Sequence, residues 1–195
     1  MKTKMKILTN DPSFTGWGYA VVQIDPKQMP RIKVLESGCI KTQPEHKKRR
    51  IRKSDDLVRR LIEVCQQLKQ IISKHGIDYI LSEAPHGSQN ASAAVMIGAV
   101  AGLVAGIGTM QELPVEWYSE QDAKKFLSGK NSLTKKRTIQ LISEYYTVEW
   151  TGTKYKDEAI ADAIAVFHVA LGQSPTIQYL TQQFMQPKKG MMRTK

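Results

Sequence analysis

Over its first stretch the chain alternates short apolar runs with turn-forming residues, and beyond residue 53 the apolar spacing lengthens to that of a helix. Residues 5–10, 17–24 and 31–39 read as three short strands, separated by "DPSFTG" and "DPKQMP", whose prolines and acids mark turns. Links this short imply an antiparallel meander. After "HKKRRIRKSDD", Leu57, Leu61, Ile62, Leu68, Ile71 and Ile72 recur at helical spacing, and Gly76 marks the end of that amphipathic helix. "IDYILSE" predicts a fourth strand, residues 93–108 a second long helix, and "LPVEWYS" a fifth strand. Two further helices are predicted near 134–146 and 157–171.

Three antiparallel strands followed by alternating helices and strands predict an α/β fold. Strands separated by helices usually join a sheet in parallel through crossovers, so the sheet should be mixed and five-stranded, flanked by helices. Residues 1–172 form one domain in this reading, and 173–195 a basic, flexible tail. That tail is polar and proline-interrupted, and it ends in "PKKGMMRTK" with no acid.

The second helix, "AAVMIGAVAGLVAGIG", carries Gly98, Gly102 and Gly106 at intervals of four, a pattern also seen where membrane helices pack. It falls short of the roughly 20 strongly apolar residues that span a bilayer. The expectation is therefore no membrane, and close contact with a sheet or with a second subunit. The basic start before Asn10 and Asp11 is followed by too short an apolar stretch for a secretory signal. The expectation is a cytoplasmic location, in a bacterial or phage-infected cell, with an organelle as the alternative.

Charge adds a partner to this outline. Among 195 residues, 29 Lys and Arg face 18 Asp and Glu, a formal charge of +11 that points first to nucleic acid. Cys39 and Cys65 sit in apolar stretches rather than at metal-ligand spacing, so neither a zinc site nor a disulfide is expected.

Within this basic chain the acids are placed unusually. Asp11 ends the first strand and Glu83 the fourth, so the two strand ends can be neighbours. Further on, "KDEAIADAIAVFHVA" opens a helix carrying Asp157, Glu158 and Asp162. Acids in a first turn are favoured by the helix dipole, which accounts for Asp157 and Glu158 without any further role. It does not account for Asp162, one turn into an Ala-rich apolar helix, because a buried carboxylate needs a partner. Glu158 lies four residues before Asp162 and so shares its face. Several converging carboxylates repel one another unless cations neutralise them, and magnesium or manganese suits all-oxygen donors. Metal-dependent phosphodiester cleavage, with two ions per site, is the chemistry such a cluster in a basic protein suggests.

At these residues the chain resembles the RuvC family of Holliday-junction resolvases, within the RNase H-like superfamily. The resemblance is carried in order by "NDPSFTGWGYAVV", "DYILSEAPHGSQNASAAVMIGAVAGLV", "QELPVEWYSEQDAKKFLSGKNSLTKKRTIQLI" and "ADAIAVFHVA", from about residue 5 to 172. It implies an RNase H-like fold and a homodimer joined through the glycine-rich helix. The implied activity is symmetric paired nicking of four-way or branched DNA. Asp11, Glu83 and Asp162 fall on metal-ligand positions. Where the family places its penultimate ligand, three residues before the last, this chain has Ala159. Glu158 is the expected replacement and Asp157 its substitute. Lys124 and Lys136 align with lysines that hold the junction backbone, and His86 with a junction-probing aromatic. The tract Lys47, Lys48, Arg49 and Arg50 reads either as solvated surface or as a phosphate contact. The alternatives are a YqgF-like RNA-processing nuclease of the same fold, or a catalytically silent junction-binding protein.

Overall fold

Period-two alternation sorts the strand residues onto two faces of a sheet, and helices cover both. The computed structural model describes residues 4–45, 51–130 and 132–185. The strands are β1 (Met5–Asp11), β2 (Gly16–Ile24), β3 (Ile32–Lys41), β4 (Tyr79–Glu83) and β5 (Val115–Tyr118). Their order in the sheet is β3-β2-β1-β4-β5, antiparallel from β3 to β1 and parallel from β1 through β4 to β5. This is the mixed five-stranded sheet expected from the sequence.

One face is covered by α1 (Lys53–His75) and α2 (Ala91–Met110). Leu8, Trp17, Val21 and Ile80 of the sheet pack there against Val64, Leu68, Ile72, Val100 and Val104. α1 stops at Gly76, whose φ of +61° is a left-handed conformation that glycine adopts at no steric cost. Ile62, placed on the apolar stripe from its spacing, is 51% exposed, and Val64 takes the buried position instead.

The other face carries α3 (Glu120–Ser128), α4 (Lys135–Tyr145), α5 (Lys154–Gln173) and α6 (Pro175–Met185). Ile7, Val22 and Leu81 pack there against Ile160, Ile164 and Phe167. α5 lies close to the sheet because β2 presents Gly18 beneath it. A Cβ on Gly18 would stand 2.1 Å from the Ala159 carbonyl oxygen.

Two elements differ from the sequence expectation. The sequence predicts no helix between the fifth strand and residue 134, yet the Ser119 hydroxyl accepts from the Asp122 amide at 3.0 Å to open α3 and Gly129 ends it with φ +72°. Likewise, the expected flexible tail begins as a helix. Ile177 of α6 is fully buried, and the Ser174 hydroxyl caps α6 by accepting from the Ile177 amide. The remaining tail, residues 186–195, lies outside the described residues.

Candidate active site

The parallel register between β1 and β4 pairs Asn10 with Ser82, so the next residues, Asp11 and Glu83, end neighbouring strands side by side. Both follow buried positions on the α5 face, Thr9 and Leu81. The polar residues just before Asp11 lock this arrangement. The Thr9 hydroxyl donates to the Ala163 carbonyl of α5 at 2.5 Å, which ties β1 to the turn bearing Asp162. Asn10, 2% exposed, donates through Nδ2 to the Leu81 carbonyl and accepts from Trp17 Nε1 at 3.0 Å. Asp11, Glu83 and Asp162 are therefore held by three elements whose mutual positions are set by buried hydrogen bonds.

These three carboxylates lie near enough to act on one another's charge. Burial, then the charges of Glu83 and Asp162, hold the Asp11 carboxyl well above the usual carboxylate range, against a lowering by Lys135. Burial pushes Glu83 up to about 7, reinforced by Asp162 and Glu120. Burial also raises Asp162, while Lys135 opposes it. Three desolvated, mutually repelling carboxylates form a site that demands positive charge.

Lys135 supplies some of that charge: its Nζ bonds Asp162 Oδ2. Among the described residues no three His, Cys, Asp or Glu side chains stand arranged to hold an ion as they lie. The donor chemistry nonetheless fits magnesium or manganese, since every contributor is a carboxylate oxygen whose ionised form burial and repulsion disfavour until a cation arrives.

Glu158 is half-buried one turn before Asp162 and is not among the charges that dominate the three. The buried Asp157 is engaged elsewhere. Its Oδ1 accepts from both the amide and the hydroxyl of Thr151 at 2.8 Å, closing the turn before α5. Lys124 sits at the site's β5 edge and pairs with Glu120 at 2.5 Å. Lys136 is exposed, and its neighbour Lys135 is the residue that reaches the carboxylates. His86 is exposed on the rim of a cleft of about 300 Å³ that runs from Asp11 and Glu83 past Phe14 to Met96 and Trp117. Lys47, Lys48, Arg49 and Arg50 lie outside the described residues.

One site residue escaped the sequence reading and a second was named there without its role. Glu120 follows the end of β5 just as Asp11 and Glu83 end β1 and β4, and the same strand-end logic would have found it. Lys135 belongs to the second basic group of the sequence, with Lys124, Lys125, Lys130, Lys136 and Arg137, but its place directly after the capping Thr134, which turns it to Asp162, was not foreseen.

The family model described as Crossover junction endodeoxyribonuclease RuvC matches residues 7–169, which contain every site carboxylate. The chain belongs to the RuvC family. The RuvC of Chlorobium chlorochromatii is 27% identical over 175 residues, covering 87% of this chain and 82% of that relative. The RuvC of Rhodopirellula baltica is 28% identical, covering 89% and 91%. Among solved structures, T. thermophilus RuvC bound to a Holliday junction superposes with a TM-score of 0.69 at 16% identity, covering 91% of this chain and 96% of that one. The yeast mitochondrial Holliday junction resolvase superposes at 0.59 with 10% identity, over 92% and 84%. At these identities the two superpositions speak for the RNase H-like fold.

Proposed function

We propose that this protein is a metal-dependent, structure-selective endonuclease that resolves Holliday junctions or other branched DNA by paired symmetric nicks in the cytoplasm. The observation that carries this reading is the convergence of Asp11, Glu83 and Asp162, all with raised proton affinity, in a RuvC-family chain of charge +11. Asp11, Glu83 and Asp162 hold magnesium, with manganese able to substitute, and Glu158 completes the set for two ions. Bound there, the cations supply charge neutralisation and an acidified water for in-line attack on a phosphodiester.

The chain's own residues do the rest. Thr9 and Asn10 tie β1 to α5 and to β4, which keeps the three elements that carry the carboxylates in fixed relation. Lys135, which pairs with Asp162, holds a phosphate oxygen beside the site in this reading. Lys124 and Lys136 add backbone contacts, as does the tract of Lys47, Lys48, Arg49 and Arg50, and His86 stacks near the junction point.

Two equivalent strands call for two equivalent sites, hence a homodimer. α2 supports it as the interface. At 20 residues it exceeds the stretch expected from the sequence and is long and apolar enough to cross a membrane by length and composition, yet Val100, Val104 and Ile107 pack on the sheet. Its other side is uncovered: Cβ atoms at Gly98, Gly102 and Gly106 would meet nothing within 4 Å, and Val95 is 60% exposed. A second copy of the same face would let two backbones approach closely.

The deciding experiment compares a labelled four-way junction, a matched linear duplex and structured RNA, with and without magnesium. Junction-selective, magnesium-dependent nicks are expected. RNA cleavage would replace this reading with an RNA-processing nuclease, and tight junction binding without cutting would replace it with a silent junction binder.

A further inference from the structure

The strand register extends the row that holds Asp11 across the antiparallel half of the sheet. Asp11 pairs with Gly18, and Gly18 with Cys39, so the three residues lie abreast on β1, β2 and β3. Directly paired residues point to the same face, here the face carrying α5, and Lys41 stands two residues beyond Cys39 on that same face. Because Gly18 has no side chain, the first turns of α5 lie across this row and bring Tyr155 and Lys156 to it. Lys41 Nζ sits 4.9 Å from the centroid of the Tyr155 ring, and that ring is 42% exposed. Lys156 and Lys41 both act on the Cys39 thiol, as Asp11 does, so the two ammonium groups border the same row as the catalytic carboxylate.

Among the described residues neither Lys41 nor Lys156 takes part in an ion pair. The nearest buried acid on α5, Asp157, is instead engaged by Thr151. Lys124 and Lys135 act on Glu83 of β4, on the side of Asp11 away from β2 and β3. The carboxylates thus lie between two separate cationic patches, one of which no pairing carboxylate neutralises.

We propose that Lys41, Tyr155 and Lys156 form a second DNA-holding patch on the β3 side of the site, gripping the cleaved strand opposite Lys124 and Lys135. Two strand spacings separate β3 from β1, about 10 Å, and Lys41 lies about 7 Å further along β3 than Cys39, so its backbone stands about 12 Å from that of Asp11, which corresponds to roughly three to four nucleotides of rise along one DNA strand. The two ammonium groups bind backbone phosphates at that distance from the cut, and the exposed Tyr155 ring offers a stacking face to a base unpaired at the branch. A strand anchored on both sides crosses the carboxylates in one direction only, which fixes which phosphate is presented.

This inference rests on the nuclease reading, and the test separates the two. Binding of a four-way junction is measured by fluorescence anisotropy across a salt series in the D11N background, so that cutting does not intervene. The K41A/K156A variant should bind about tenfold more weakly. Its plot of log affinity against log salt should be shallower by about 2, the loss of two phosphate contacts at ~0.9 each. The charge-keeping K41R/K156R pair should restore both, and Y155L should weaken binding without changing the slope. If the D11N parent binds and K41A/K156A leaves affinity and slope unchanged, the patch is wrong and the nuclease reading stands. If K41R/K156R fails to restore binding lost in the alanine pair, the loss is one of local structure and the patch is again overturned. Failure of the D11N parent to bind any branched DNA would overturn both.

Discussion

Two twenty-residue apolar helices lie on opposite faces of the sheet, and they are covered very differently. Between Ala159 and Val169 of α5, only Asp162 and His168 escape full burial, because α3, α4 and α6 close over the helix. α2 is the more uniformly apolar in sequence, yet only Val100, Val104, Ile107 and Gly108 are buried. Hydrophobicity alone therefore did not decide which helix became the core. What decided it was the supply of later helices: three pack beside α5 and none of them beside α2. A carboxylate on the covered helix is desolvated and so becomes chemistry, whereas glycines on the uncovered one remain available for association.

The largest effect should come from the single acid on the covered helix that faces the other two. Asp162→Asn removes a charge from a desolvated cluster and should cut magnesium-supported cleavage by more than the roughly 100-fold typical of outer-shell changes around a metal, while junction binding persists. Cleavage within tenfold of the parent in a single-turnover assay would show that α5 does not carry the site. Glu158→Gln should also reduce turnover strongly, with unchanged thermal stability.

Next comes a pair of glycines that sharpens the contrast. Gly18→Ala drives a methyl into the α5 backbone, where nothing flexible can yield, and should cost about 3 kcal/mol or more in a denaturant titration. Gly102→Leu meets open space within the protomer. It should leave protomer stability nearly unchanged and appear instead in sedimentation, as monomer where the parent is dimer. Equal destabilisation by both would mean that α2 is as closed as α5.

A smaller effect should appear on titration. Burial raises Glu83 from its ordinary value of 4.5 to about 7, so between those pH values the folded protein binds more protons than the unfolded chain. Metal-free stability should then fall as pH rises from 4.5 to 7 and level off above. Glu36 contributes with the opposite sign in a separate window. Burial raises its pKa, but bonds from Lys74, His75 and Tyr19 prevail and bring it to about 2. Its contribution is therefore lost only as pH drops below 4.5. Magnesium should raise the melting temperature more at pH 8 than at pH 5.5, because ion binding requires the deprotonated carboxylates. A magnesium effect independent of pH would contradict a desolvated cluster.

The smallest effect belongs to Asp157→Asn. This carboxylate accepts two hydrogen bonds from Thr151 and so closes the turn before α5. Its loss should cost about 1 kcal/mol in a thermal melt and leave turnover intact. Reduced turnover with unchanged stability would instead make Asp157 the fourth ligand.

The sequence by itself determined the strands and the long helices, because alternation at period two and apolar spacing near 3.6 are properties of neighbours along the chain. It also placed Asp11 and Glu83 at strand ends and Asp162 where a solvated role was untenable. It missed α3 and α6, whose short spans were hidden by polar and proline-bearing sequence. The α3 omission took Glu120 with it, and the contact of Lys135 with Asp162 was not foreseen. Only the tertiary structure decided which of two apolar helices was covered, that Asp157 closes a turn, and that Lys41 on β3 meets Tyr155 and Lys156 from α5. These are contacts between segments far apart in sequence, and local pattern does not encode which distant surface will press against a given side chain.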